Sequence, residues 1–361
     1  MSETLRYGLI GSGMMGVEHI ENVNALDGAE IVAFSDPDPG SRETAAATAP
    51  RGAVAHVDHE TLLADPDLDV VVLASPNHTH VDVLRDVLTQ RPDLHLLIEK
   101  PLCTTVADCL EVMELAEGRP GKIWMGLEYR YMQPVARLID EVRAGSVGSP
   151  RMVAIREHRF PFLVKVGDWN RFSRNTGGTL VEKTCHFFDL MVLILDATPV
   201  RVMASGAQDV NHLDERYDGE TPDILDNAYV IVEFDGGQRA MLDLCMFADA
   251  TRNQEEISVA GELGKVEALI PQDVLRVGRR GEHWIGAVEE RDIAPDPDAF
   301  VGLHHGSSFI EHRRFAECIR ADSTPEVGLA QGLLSVAIGA AAHVSIDERR
   351  VVDMTEVLGS R

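Results

Sequence analysis

The sequence predicts an α/β protein of two domains: first a doubly wound parallel sheet, then a mostly antiparallel sheet with helices. Three observations carry this. At 361 residues, the chain has the length of two domains of roughly 100–200 residues each. Its first 130 residues alternate short apolar runs with helix-period stretches, the pattern of right-handed βαβ units. From about Pro150 the texture changes to strands joined by glycine-containing turns.

In chain order, Arg6–Ile10, Ala29–Ser35, Val70–Ala74, His95–Glu99 and Ile123–Gly126 are short apolar runs, as buried parallel strands require. Between them, Val81–Leu88 and Ala107–Ala116 carry apolar residues at helical spacing. With a first domain over 1–130, the second covers 131–361. Its strands are expected at Arg151–Glu157, Val200–Ala207, Asn227–Phe234, Gln238–Met246 and Glu256–Ala260, with FDGGQ (Phe234 to Gln238) as a hairpin turn. Helices are expected at Thr179–Leu195, Phe309–Arg320 and Leu329–Val344, and the Pro- and Asp-rich stretch Asp292–Asp298 reads as a surface loop.

Composition narrows the function. Apolar residues make up 45% and charged residues 25%, the balance of a globular chain. Asp and Glu number 59 against 33 Lys and Arg, a formal net charge of −26. Such a field repels phosphate backbones and anionic lipid, so neither nucleic acid nor membrane is an expected partner. The apolar stretch Leu333–Val344 is broken by Ser335, Gly339 and His343 and is short of the ~18–20 residues of a span. Cys103, Cys109, Cys185, Cys245 and Cys318 are scattered, without the spacing of a disulfide framework or zinc ribbon. No HExxH or Cys–His pattern suggests a metal site. MSETLRYGLIGSG leaves no room for a signal peptide, and a cytoplasmic location is expected.

Gly11-Ser12-Gly13-Met14-Met15-Gly16 follows the strand-like YGLI and opens the helix-like VEHIENV. The first glycine permits a tight turn, the second a close approach to a pyrophosphate, and the third close helix–strand packing at a helix N-terminus that attracts phosphate. Asp36 lies at the end of the second strand, where a carboxylate accepts ribose hydroxyls and repels a 2′-phosphate. This Rossmann fingerprint predicts NAD rather than NADP; the plainer reading of Asp36 is a turn residue in SDPDP. Other strand ends open onto the same expected cleft. Ser75, Asn77 and His80 in SPNHTH, Glu99 and Lys100 in EKP, and Tyr129 after the last strand are candidate cofactor contacts. A loop Asn, a helix-start His and a surface ion pair are the structural alternatives.

GSGMMG, SPNHTH, EKP and GG…EKTCHFFD (Gly177–Asp189) together resemble the Gfo/Idh/MocA family, the glucose–fructose oxidoreductase and inositol dehydrogenase group, in order and spacing over essentially the whole chain. The resemblance implies a Rossmann domain and a C-terminal α/β domain with a large open sheet. It also implies NAD(P), substrates that are sugars, polyols or related cyclic alcohols, and homodimers or homotetramers formed through the open sheet. Its catalytic positions fall on Lys100, Glu182 and His186. The residues agree: 182, 186 and 189 recur at i, i+4 and i+7, which puts Glu182, His186 and Asp189 on one helix face. Histidine is the usual acid–base group near neutral pH, and a carboxylate one turn away orients its ring. A structural histidine satisfied by that carboxylate is the alternative. The chain departs from the family where the acid is usually Asp followed by an apolar residue and Gly, for here Glu182-Lys183-Thr184 stand.

Residues 156–186 carry Arg156, Arg159, Lys165, Arg171, Arg174 and Lys183 against Glu157, Asp168 and Glu182, a positive segment in an acidic protein. Arginine forks suit anionic groups and tryptophan offers a face to a sugar ring. The candidate substrate contacts are therefore Arg159, Trp169, Arg171 and Lys183, joined by Lys100, His186 and, from Leu303-His304-His305, His304. The alternative is that these arginines pair with the acidic surface. The expected function is NAD-dependent oxidation of a secondary alcohol of a sugar, polyol or anionic sugar derivative. Two further readings stay open: a redox-neutral NAD-dependent glycoside hydrolase working by transient oxidation and elimination, and a non-catalytic NAD-binding regulator.

Overall fold

The apolar runs of the N-terminal half form six parallel strands: β1 (Leu5–Ile10), β2 (Ala29–Ser35), β3 (Val54–His56), β4 (Val70–Leu73), β5 (His95–Glu99) and β6 (Ile123–Gly126). Their order in the sheet is β3-β2-β1-β4-β5-β6. The computed structural model describes residues 4–281, 287–302 and 304–359; Leu303, part of one expected substrate loop, lies outside them. β4 and β6 are buried at every position, as strands covered on both faces must be. The strand order reverses between β1 and β4, and ligands bind beyond the carboxyl ends of strands at such a reversal. β3 was not expected from sequence: its three residues are all at least partly exposed and form no apolar run. Lys165–Trp169 and Pro297–Val336 belong to the same compact unit as these strands. Within it, the helix Ser307–Arg320 packs Phe309 and Ala316 on Leu26.

The second unit is built on nine strands: β7 (Pro150–His158), β8 (Pro199–Ala207), β9 (Asn227–Phe234), β10 (Arg239–Cys245), β11 (Glu255–Gly261), β12 (Gly264–Ile270), β13 (Val274–Arg279), β14 (Val288–Asp292) and β15 (Val352–Asp353). They run in the order β14-β13-β12-β11-β7-β10-β9-β8-β15, and only the β7–β10 pair is parallel. The FDGGQ hairpin joins β9 to β10, closed by Phe234 N–H to the Gln238 carbonyl (3.0 Å), with Gly237 at φ 78°. β9 alternates strictly, burying Ala228, Val230, Val232 and Phe234 and exposing Tyr229 and Ile231. The helix Cys185–Leu195 packs on β7, and Gln133–Arg143 packs on β12 and β13. β12, β13, β14 and β15 were not expected from sequence; VEERD is a charged edge and two residues make no pattern, and charge on an edge discourages pairing with another chain. The helix Leu329–Glu348 is long and apolar enough to cross a membrane by composition, yet it buries Leu333, Val336, Ile338 and Ala341 inside the protein.

The expected helix Thr179–Leu195 is two pieces, Thr179–Glu182 and Cys185–Leu195. Thr184 leaves helical geometry (φ −93°, ψ 1°), and its hydroxyl donates to the Leu180 carbonyl at 2.7 Å. A hydroxyl bonded back to the i−4 carbonyl competes with the helix ladder. Glu182, His186 and Asp189 therefore do not form one stripe on one continuous helix.

Candidate active site

The glycine turn fits a dinucleotide. Gly11 has φ +91°, and a Cβ there would collide with the Ser75 backbone. A Cβ on Gly16 would meet the Gly11 carbonyl, whereas one on Gly13 would meet nothing within 4 Å, so the middle of the turn is open to a ligand. Asp36 accepts from Ser12 N–H (2.8 Å) and Asp38 N–H (2.9 Å), which fixes its carboxylate beside the turn. Ser12 Oγ and Asn77 Nδ2 are buried and, among the described residues, have no hydrogen-bond partner. Buried polar atoms of this kind call for a ligand or water. Met14 is exposed and Met15 partly so at the start of the helix. Ser75 pairs its hydroxyl with that of Thr79 at 2.7 Å.

At the end of β5, both Glu99 oxygens are used. Oε1 lies 2.9 Å from His19 Nε2, and Oε2 accepts the Lys100 backbone N–H at 3.1 Å. His19 Nδ1 in turn lies 2.8 Å from His312 Nε2. Burial raises the Glu99 carboxyl, but the His19 hydrogen bond and the nearby Lys100 charge outweigh it and hold the group at about 2. An anion only accepts, so Glu99 takes the His19 Nε2–H. Burial also holds His312 well below the ordinary histidine range, which keeps it neutral. The next strand end carries the opposite case: burial pushes Glu128 up to about 7. His80 does not face open space as expected. It is fully buried, with Nδ1 2.9 Å from the Pro101 carbonyl and Nε2 3.0 Å from the Ser75 carbonyl, tying two strand-end loops together. His304 meets Glu18 at 3.1 Å, and Trp169 lies against His78 with ring centroids 6.0 Å apart.

In the second unit, Gly177 and Gly178 (φ 78° and 86°) turn the chain into the short helix that carries Glu182. His343 Nε2 accepts the Leu180 N–H at 3.1 Å and fills the space where a Gly178 Cβ would stand. Burial pulls His343 down to about 4, so it stays a neutral acceptor. Glu182 and His186 are both buried. The His186 ring stacks on Tyr129, centroids 4.0 Å apart and planes 5° apart. Asp189 takes Arg130 instead, with Nε at 3.1 Å and Nη2 at 2.5 Å, although burial raises its carboxyl against that pull.

The positive segment is largely matched by acids within its own unit. Lys183 Nζ sits 2.9 Å from Glu157, which also takes Arg159 at 3.4 Å. Arg171 is buried on Glu215 at 3.1 Å, Arg174 pairs with Glu220, and Arg156 with Asp243 and Glu256. Sequence reading missed His19, His312, Glu128, Glu157 and His343. His19, His312, Glu157 and His343 have partners far along the chain, and only a lone histidine inside the apolar pattern of VEHIENV hinted at one of them.

Residues 5–127 match an oxidoreductase family's NAD-binding Rossmann fold, and residues 139–354 match the C-terminal alpha/beta domain of the same family. The myo-inositol 2-dehydrogenase of Thermotoga maritima is 27% identical over 98% of this chain and 100% of its own length. The inositol 2-dehydrogenase of Acidothermus cellulolyticus is 30% identical over 76% of this chain and 75% of its own. Levoglucosan dehydrogenase, solved in complex with NADH, shares the fold with a TM-score of 0.85 at 19% identity, covering 97% of this chain and 99% of that one. With a fingerprint turn shaped for NAD and both halves matched, the chain belongs to the Gfo/Idh/MocA family of NAD-dependent oxidoreductases.

Proposed function

We propose that the protein oxidises a secondary alcohol of a sugar or polyol, with Lys100, Glu182 and His186 as its catalytic residues. The observation that carries this reading is the buried His186 imidazole, fixed by a ring stack and four residues beyond a buried acid. His186 removes the hydroxyl proton, Glu182 orders the imidazole, and the Lys100 ammonium stabilises the developing alkoxide. Bound NAD supplies the hydride acceptor. Gly11 to Gly16, Asp36, Ser75 and Asn77 hold the dinucleotide, and the buried His80 braces the loops that do so.

Relatives named for inositol oxidation make a neutral polyol the first candidate. The pairing of Arg159, Arg171 and Lys183 with acids supports neutral over anionic substrates. Trp169 and His304 remain proposed substrate contacts. The protein is proposed to act in the cytoplasm as a homodimer or homotetramer. Met152, Tyr229, Ile231 and Met241 expose an apolar patch on one face of β7, β9 and β10, the surface proposed to pair. Ile231→Glu should then shift the sedimentation coefficient to that of a monomer; an unchanged oligomer refutes the assignment.

The test begins with thermal shifts in NAD plus myo-inositol, levoglucosan or glucuronate, since a bound ligand stabilises the folded state. NADH formation is then followed with any stabilising compound. Lys100→Met and His186→Ala should each abolish turnover while NAD still stabilises the protein. Full turnover in both variants refutes the mechanism, and aglycone release without net NADH would identify a hydrolase instead.

A further inference from the structure

We propose that Tyr129 and Lys183 are positioning residues for His186: Glu157 seats the Lys183 ammonium, Lys183 anchors the Tyr129 hydroxyl, and the Tyr129 ring fixes the plane of the imidazole. The inference rests on the reading of His186 as the base. Lys183 Nζ lies 2.9 Å from Glu157 Oε1 and 2.8 Å from the Tyr129 hydroxyl. The Tyr129 ring lies flat on His186 at 4.0 Å and meets Phe187 edge-on at 5.6 Å, so it is held from two sides. Glu157, Lys183, Tyr129 and His186 are all buried.

Each link has a direction. An ammonium has three donors and no acceptor, so Lys183 donates both to Glu157 and to the phenol oxygen. A buried ammonium is costly without a counter-charge, and Glu157, itself fully buried, supplies it. Glu255 stands opposite Glu157 across the β7–β11 pair, and burial together with the Glu157 charge raises it to about 7. Of the two carboxyl groups, it is Glu157 that lies 2.9 Å from the Lys183 ammonium. An imidazole stacked on a tethered ring loses freedom to turn about its side-chain torsion, so its two nitrogens keep their directions. Orientation of this kind is a large part of what a catalytic base needs.

The set also explains the departure at position 183. A lysine directly after the catalytic acid, where the family usually has an apolar residue, is intelligible only with Glu157 on β7 and Tyr129 beyond β6. The three residues make one device from three separate places in the sequence.

The variants to compare are Tyr129→Phe, which keeps the stack and loses the tether, and Tyr129→Leu, which loses both. Lys183→Met/Glu157→Gln removes the tether and both charges of the pair, leaving only the part-exposed Arg159 without its acid. The first readout needs no substrate. In the wild type, NMR should show His186 ring protons shifted upfield by the Tyr129 face. They should move downfield in Tyr129→Leu, while Tyr129→Phe and the double variant, which lose only the tether, retain most of the shift. With a turned-over polyol, kcat of Tyr129→Leu should fall on the order of tenfold to a hundredfold. Tyr129→Phe and the double variant should lose less. If Tyr129→Leu does not fold, the double variant alone decides. Unshifted His186 protons in the wild type, or full kcat in the double variant and in every folded Tyr129 variant, overturn the proposal. If His186→Ala stays active, the base assignment is what fails; if it is dead while those variants remain fully active, only the positioning role fails.

Discussion

Replacing His19 by leucine leaves the Glu99 carboxylate buried without its main donor, and the cost can be worked from the structure. Glu99 is held at about 2 against an ordinary 4.5. At ~1.36 kcal/mol per pKa unit, that difference corresponds to about 3 kcal/mol of stability. Because the folded value is depressed, the contribution is fully present above pH 4.5 and fades as pH falls towards 2. Lys100 and His304 also lower Glu99, so the net figure is not the contribution of His19 alone. His19→Leu should lower the unfolding free energy at pH 7 by on the order of 1–3 kcal/mol, the cost of leaving a buried charged group without a donor. The double variant His19→Leu/Glu99→Leu leaves no charge to strand and should recover most of the loss. Equilibrium urea unfolding at pH 7 and at pH 3, followed by tryptophan fluorescence, measures both effects; Trp124 is buried in the same unit. A loss under ~0.5 kcal/mol, or a double variant as unstable as the single, would show that His19 does not hold the charge.

Three further outcomes are expected. Gly178→Ala forces a Cβ into the His343 imidazole at φ +86° and should cost about 2 kcal/mol, seen as a lower melting temperature. Asp36→Ser removes the carboxylate that repels a 2′-phosphate, so the Kd for NAD should rise and that for NADP fall, measured by fluorescence titration. Glu255 is raised by burial, so its penalty is absent below pH 4.5 and grows as pH rises to about 7. Glu255→Gln should accordingly stabilise the protein by up to about 3 kcal/mol at pH 8 and by almost nothing at pH 4.5, read from paired denaturation curves.

The contrast between motif and partner runs through the molecule. GSGMMG and Asp36 were legible because a dinucleotide turn is a local object: its glycines act through their own φ angles and through the next few residues. The strands around it were legible because burial on both faces writes a continuous apolar run. The charged edge β14 and the two-residue β15 were not, since their pairing depends on neighbours that supply no local pattern. The supposed single helix through Glu182 and His186 failed at Thr184, where a hydroxyl found a carbonyl instead of solvent.

Charge shows the division most clearly. The sequence by itself determined the α/β class and the NAD turn, because these rest on local pattern along the chain; Lys100, Glu182 and His186 it named only through family resemblance. It also determined that residues 156–186 are positive, but not what that charge meets. Only the tertiary structure decided that Lys183 faces Glu157, Arg171 faces Glu215 and Arg130 faces Asp189. The physical reason is that a buried ion must find its counter-charge in space, and folding brings that partner from 26, 44 or 59 residues away.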